Sequence, residues 1–112
     1  MPVVTFVETS VFTRRIAGIL ADDSFADFQT ELARNPEKGP VLEGTGGLRK
    51  ARWKLPGKGK SGGIRIIYLH LKLRGRIYLV FVFAKDESDN LTASQKAELK
   101  KLVEAIKKEF RK

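Results

Sequence analysis

Residues 64–84 read IRIIYLHLKLRGRIYLVFVFA, and they set the architecture. Ile64 to Leu73 and Ile77 to Ala84 are runs rich in β-branched and aromatic residues, the composition of strands. Lys72 to Arg76 between them is too short for anything but a hairpin turn, so antiparallel neighbours are expected. Apolar residues on both faces mark these as central strands. The odd positions Ile67, Leu69, Leu71, Leu79, Phe81 and Phe83 make the greasier face, which is expected to receive the helices. The even face carries Tyr68, His70, Lys72 and Tyr78.

Upstream, Leu48 to Leu55 alternates apolar and basic residues. Period-two alternation predicts a strand presenting Lys50, Arg52 and Lys54 on an open face, with Trp53 and Leu55 turned inward. Pro56 to Gly63 holds four glycines and a proline, and is expected to be a mobile basic loop. Glu37 to Gly47 is a glycine-rich connection. Further back, Val3 to Val7 suggests a first strand. Thr9 or Ser10 can cap a helix with the stripe Phe12, Ile16, Ile19 and Leu20. Asp22, Asp23 and Ser24 offer a second capping site, followed by Phe25, Phe28 and Leu32 on one face. Asn35-Pro36 is a stop signal. The acids Asp22, Asp23, Asp27 and Glu31 lie away from the apolar stripe, facing water. Downstream, Thr92 and Gln95 fit a capping box, and Leu99, Leu102, Val103, Ile106 and Phe110 follow at helical spacing. The expected fold class is α+β, in the order β-α-α-β-β-β-α. The helices are expected on one side of a small twisted, mainly antiparallel sheet, within one domain spanning 1–112.

Charge is distributed unevenly along this chain. Between Gly44 and Lys85, 42 residues carry eleven Lys or Arg and no acid, whereas the other 70 carry eleven basic and thirteen acidic side chains. The net charge of +9 therefore comes from one segment. Clustered cations gain by displacing counterions from a nucleic-acid backbone, so a phosphate-bearing partner is indicated. The absence of cysteine excludes disulfides and thiolate metal sites, and a single histidine excludes a His-rich one. No metal and no cofactor are expected. MPVVTFVETSVF lacks a basic leader, and no apolar run nears the roughly 20 residues needed to cross a bilayer. A cytoplasmic protein without membrane attachment is expected.

The segments GTGGLRKARW, GKGKSGGIRIIY and IYLVFVFAKDESDNLT resemble the RelE/HigB superfamily of bacterial toxins, most closely its HigB branch. The resemblance covers nearly the whole chain. It implies a RelE-like fold and the toxin of a type II toxin–antitoxin pair. Such toxins enter the A site of the 70S ribosome and cut mRNA, with the neighbouring ribose 2′-hydroxyl as nucleophile and no metal. The products are a 2′,3′-cyclic phosphate and a 5′-hydroxyl. The implied partners are a cognate antitoxin, the ribosome and mRNA, with operator DNA reached only through the antitoxin complex. Position by position, the resemblance places the catalytic residues on Arg52, Lys54, Arg65 and Lys85. The chain departs from RelE at Asn90-Leu91-Thr92, where RelE has a tyrosine that stacks on a base.

In-line attack by a 2′-hydroxyl needs a base, cations for the charge on phosphorus and an acid for the 5′-oxygen. Arg65 suits phosphate, because its planar fork matches two oxygens. Lysine starts near a pKa of about 10.4 and becomes a base only under positive charge or burial, which makes Lys54, beside Arg52 and Arg65, the candidate. Arg49, Lys50, Lys58 and Lys60 are candidate RNA and ribosome contacts. An odd hairpin loop with Gly75 at positive φ would bring Lys85 and Arg65 to one face; a two-residue Arg74-Gly75 loop would separate them. His70 differs in parity from Arg65 and is expected to be filler on the other face. Trp53 is assigned to the core by its parity; Tyr68 and Tyr78 remain open between core and stacking. GKGKSGG lacks the strand-loop-helix setting of a P-loop. Two alternatives stay open, a ParE-like inhibitor of DNA gyrase and a non-catalytic RNA-binding module.

Overall fold

A computed structural model describes residues 4–54, 63–84 and 91–109. The elements follow the expected order: β1 (Thr5–Glu8), α1 (Ser10–Ala17), α2 (Asp22–Arg34), β2 (Arg49–Trp53), β3 (Ile64–Leu71), β4 (Arg76–Ala84) and α3 (Ala93–Glu109). The sheet runs β1-β4-β3-β2, with β1 parallel to β4 and the other two pairs antiparallel. A mainly antiparallel α+β layer therefore forms, as the strand runs required.

Helices cover both faces of the sheet rather than one. Phe12, Ile16 and Leu20 of the α1 segment and Phe28 and Leu32 of α2 pack on Ile64, Ile66 and Tyr68. On the other face Val103 and Ile106 of α3 pack with Leu48, Ile67, Leu69, Val80 and Phe83. The reason lies in β3, where Ile64, Ile66, Ile67, Tyr68 and Leu69 are all at most 2% exposed. With apolar residues on both faces, one helical layer leaves half of that surface in water. Burying Phe28 completely makes it a large contributor, since truncating such a residue to alanine costs about 3–5 kcal/mol.

The odd positions also fail to share one face. Ile67 stands opposite Phe81 but Tyr68 stands opposite Leu79, so Val80 is an extra residue, a bulge in β4. Past it the parity of β4 reverses. Ile77, Leu79 and Val82 join the α1/α2 side, whereas Tyr78, Val80, Phe81 and Phe83 join the α3 side. The turn holds four residues, a 3-10 segment Lys72–Arg74 and Gly75 at φ 61°. An even turn alone would place Arg65 opposite Val82. The bulge shifts the partner to Phe83, the register an odd loop would have set between Arg65 and β4.

Local capping explains most of the helix ends. Thr9 caps α1, its Oγ accepting the Phe12 N–H at 3.1 Å and donating to Val80 O at 2.7 Å. Thr92 and Gln95 form the expected box, each side chain accepting the other's backbone N–H at 2.9 and 3.1 Å. At α2 no side chain caps: the N-cap is Ala21, and Asp22 and Asp23 occupy the first turn, where the helix dipole favours acids. Ser24 instead accepts the Trp53 indole N–H at 3.1 Å.

Beyond Leu79 the pairing with β1 ends, and α1 takes over the edge of β4. Arg15 Nε donates to Val82 O at 2.6 Å, and its guanidinium lies 4.9 Å over the Phe81 ring. Two side chains thus satisfy carbonyls that an edge would leave open.

Candidate functional site

At the start of β3, Arg65 stands directly across from Arg52 of β2 and from Phe83 of β4. Lys50 N–H points outward, donating to Pro40 O at 3.1 Å, so Lys50 and Ile67 form a non-hydrogen-bonded pair. Two residues on, Arg52 and Arg65 repeat that geometry, with Cα atoms about 4.5 Å apart. Two arginines facing each other across a strand pair oppose one another electrostatically, and an anion between them removes the opposition. The arrangement suits a phosphate.

Arg65 is 5% exposed, and its Nη1 lies 3.3 Å from Ile64 O. Gly63 gives it room: a Cβ there would lie 3.1 Å from Trp53 O and 3.4 Å from Arg65 Nη1. Arg52 is exposed, as is Lys54 just past the end of β2. Lys50 shares the face of Arg52 by strand parity and stands opposite Ile67. The sheet therefore brings together Lys50, Arg52 and Arg65, with Lys54 next in the chain. Lys58, Lys60 and Lys85 lie outside the described residues.

Arg49 does not join them. It stands opposite Tyr68 on the α1/α2 face, where its Nη1 donates to Gly39 O at 2.8 Å and Glu37 O at 3.2 Å. Those bonds fasten the 37–39 segment to β2. Tyr68 does the same from within, donating to Pro36 O at 2.7 Å and accepting the Gly39 N–H at 3.2 Å. Burial raises the Tyr68 phenol above its usual pKa of 10.0. Tyr68 is thus core, and Tyr78 packs against the α3 layer.

His70 lies on the face opposite Arg65, as parity required, with Nδ1 3.8 Å from Glu37 Oε1. Desolvation lowers its pKa below the usual 6.5, Glu37 opposes the shift, and Arg49 and Lys72 add to it. Trp53 also belongs to the core, with its ring edge-on to Phe28 at 5.4 Å and 71°.

The GTGG motif carries no charge; it builds the corner that launches β2. Thr45 is fully buried, its Oγ donating to Leu42 O at 2.6 Å and accepting the Leu48 N–H at 3.1 Å. Gly44, Gly46 and Gly47 take φ of 77°, 80° and 118°, backbone that side chains resist. Lys107 of α3 donates to Gly46 O at 2.6 Å, tying that helix to the corner.

One feature of the surface has no counterpart in the sequence pattern. Lys38, Gly39, Pro40, Lys50, Ala51 and Arg52 line a cleft of about 330 Å³ along the outer edge of β2. Lys38 precedes the acid-free run and follows Glu37, so nothing in the charge pattern singles it out.

No helix among the described residues is long and apolar enough to cross a membrane. Against protein-family models, residues 27–111 match the family described as the RelE toxin of the RelE/RelB toxin–antitoxin system. That span takes in α2 from Asp27 onward, the whole of β2, β3 and β4, and α3.

Proposed function

Because this chain belongs to the RelE toxin family, we propose that it is a ribosome-dependent endoribonuclease cutting mRNA in the A site. Family membership makes it the toxin of a toxin–antitoxin pair, with an antitoxin as its partner. The observation that supports the nuclease reading is the opposed Arg52–Arg65 pair on the basic end of the sheet.

In the proposed reaction the ribose 2′-oxygen attacks the adjacent phosphorus while the bond from phosphorus to the 5′-oxygen breaks. A base takes the 2′-hydroxyl proton and an acid returns one to the 5′-oxygen. Arg65 holds two phosphate oxygens and meets the charge that builds there, with Arg52 opposite as the second cation. Lys54, exposed at the end of β2, is the candidate base, and Lys85 the candidate further cation. Lys50, Lys58 and Lys60 contact the RNA backbone. Rigid strands carry the two arginines, so their geometry exists before substrate arrives.

Primer extension on a reporter mRNA after a short expression pulse tests this. Wild-type protein should give cuts confined to translated regions and in frame. Arg65→Ala and the exposed variant Arg52→Ala should lose them by about 100-fold or more, the range seen when one charge-stabilising donor is removed. Intact mRNA in growth-arrested cells would refute the nuclease reading and favour a gyrase target. Intact mRNA in growing cells would leave an RNA-binding module.

A further inference from the structure

The cleft along the outer edge of β2 is continuous with Arg52 yet separate from Arg65, which lies one strand further in. Three of its six lining residues are cations, and the other three, Gly39, Pro40 and Ala51, lack a polar side chain. Its floor offers a backbone donor as well. Residues of equal parity in a strand direct their N–H groups to the same side, and Lys50 N–H points outward to Pro40 O. Arg52 N–H therefore also points outward, into the cleft, one step beyond the reach of Pro40. Gly39 is essential to the shape, because a Cβ there would sit 2.5 Å from Lys50 O.

We propose that this cleft is a second phosphate subsite, holding the RNA strand one nucleotide away from the phosphate between Arg52 and Arg65. The assignment rests on the nuclease reading for its ligand. Lys50 and Arg52 are two residues apart on one face, about 6.6 Å along the strand. That is the scale of one nucleotide step, so Arg52 reaches both phosphates and Lys50 the outer one. Lys38 closes the far wall. It pairs with Glu31 at 2.7 Å, but both side chains are partly solvent-exposed, 24% and 53%. Such pairs contribute about 0–1 kcal/mol, too little to keep Lys38 from a phosphate. The subsite joins two parts of the chain: Lys38 from the connection after α2, and Lys50 with the Arg52 N–H from β2. Phosphate contacts of this kind position a strand without reading its sequence.

The test uses the full chain and a trinucleotide with 2′-O-methyl riboses, which binds but cannot be cut. Binding is followed by backbone amide shifts in wild type, Lys38→Gln, Lys50→Gln and the double variant, with Trp53 fluorescence confirming the fold. The Arg52 and Gly39 signals should move in wild type. The double variant should bind several-fold more weakly, with its salt slope reduced by about 0.7, the value for one lost single-strand phosphate. Movement of Arg65 with Arg52 and Gly39 silent would overturn the subsite and leave the nuclease reading standing. An unchanged salt slope in the double variant would overturn it too. Equal shifts with a tetraglutamate peptide would show a general acidic-peptide cleft, which also refutes a phosphate subsite. Cleavage of ribosome-bound mRNA is scored separately, so failure of the nuclease reading is recognisable by itself.

Discussion

Replacing Thr45 by valine keeps the volume and branching of the side chain but removes its hydroxyl. Two hydrogen bonds disappear, one to Leu42 O and one from the Leu48 N–H, in a site that is 0% exposed. Each bond is worth about 1 kcal/mol net, and a buried donor left unpaired costs about 1–3 kcal/mol. Leu42 keeps its own N–H bond to Leu48 O at 2.8 Å, so the corner loosens rather than opens. The expected loss is about 2–4 kcal/mol. For 112 residues the entropy of unfolding gives about 4 °C per kcal/mol. Thermal unfolding by circular dichroism should therefore show Thr45→Val melting about 8–16 °C below wild type. Thr45→Ser keeps the hydroxyl and loses one methyl, which costs about 0.8 kcal/mol. If serine destabilises as much as valine, the hydrogen bonds are not what holds the corner, and the argument is refuted. Cleavage measured well below the melting temperature should survive in both, because the Arg52–Arg65 register is set by the β2/β3 ladder.

Three further outcomes follow from other contacts. Gly39→Ala drives a Cβ against the Lys50 carbonyl, a backbone atom that cannot swing away, and should cost about 1–3 kcal/mol; denaturant titration checks it, and wild-type stability would be the refuting result. His70 has its pKa lowered below 6.5 chiefly by desolvation, so the unfolded chain binds its proton more readily. Its contribution is complete above pH about 6.5 and is lost as pH falls through the lower folded value. Urea midpoints from pH 7.5 to 4.5 should fall less in His70→Gln than in wild type. Arg15→Gln should remove the bond to Val82 O and the stacking on Phe81, and hydrogen exchange should quicken at the end of β4 while the β1-paired half stays protected.

Alternation in 48–55 placed Lys50 and Arg52 on one face and Trp53 on the other, because a strand alternates whatever surrounds it. Arg65 and His70 were likewise separable by counting along β3 alone. Helix stripes and the Thr92–Gln95 box were legible for the same reason: the interactions close within one or two turns of chain. The family motifs were visible too, though GTGG proved to be a corner pinned by the buried Thr45, with no functional charge in it.

Sequence by itself therefore determined what local periodicity and charge can encode, namely element order, the faces of β2 and β3, and a basic segment from Gly44 to Lys85. Tertiary structure alone decided the rest. The bulge at Val80 depends on how β3 and β4 settle against two layers of helices, and it sets Phe83 rather than Val82 opposite Arg65. Arg49 became a brace because carbonyls of Glu37 and Gly39 came within its reach. Lys38 entered the cleft beside Lys50 because Tyr68 and Arg49 draw the 36–39 segment onto β2. Contacts between residues far apart in the chain leave no period behind, so only folding brings them to light.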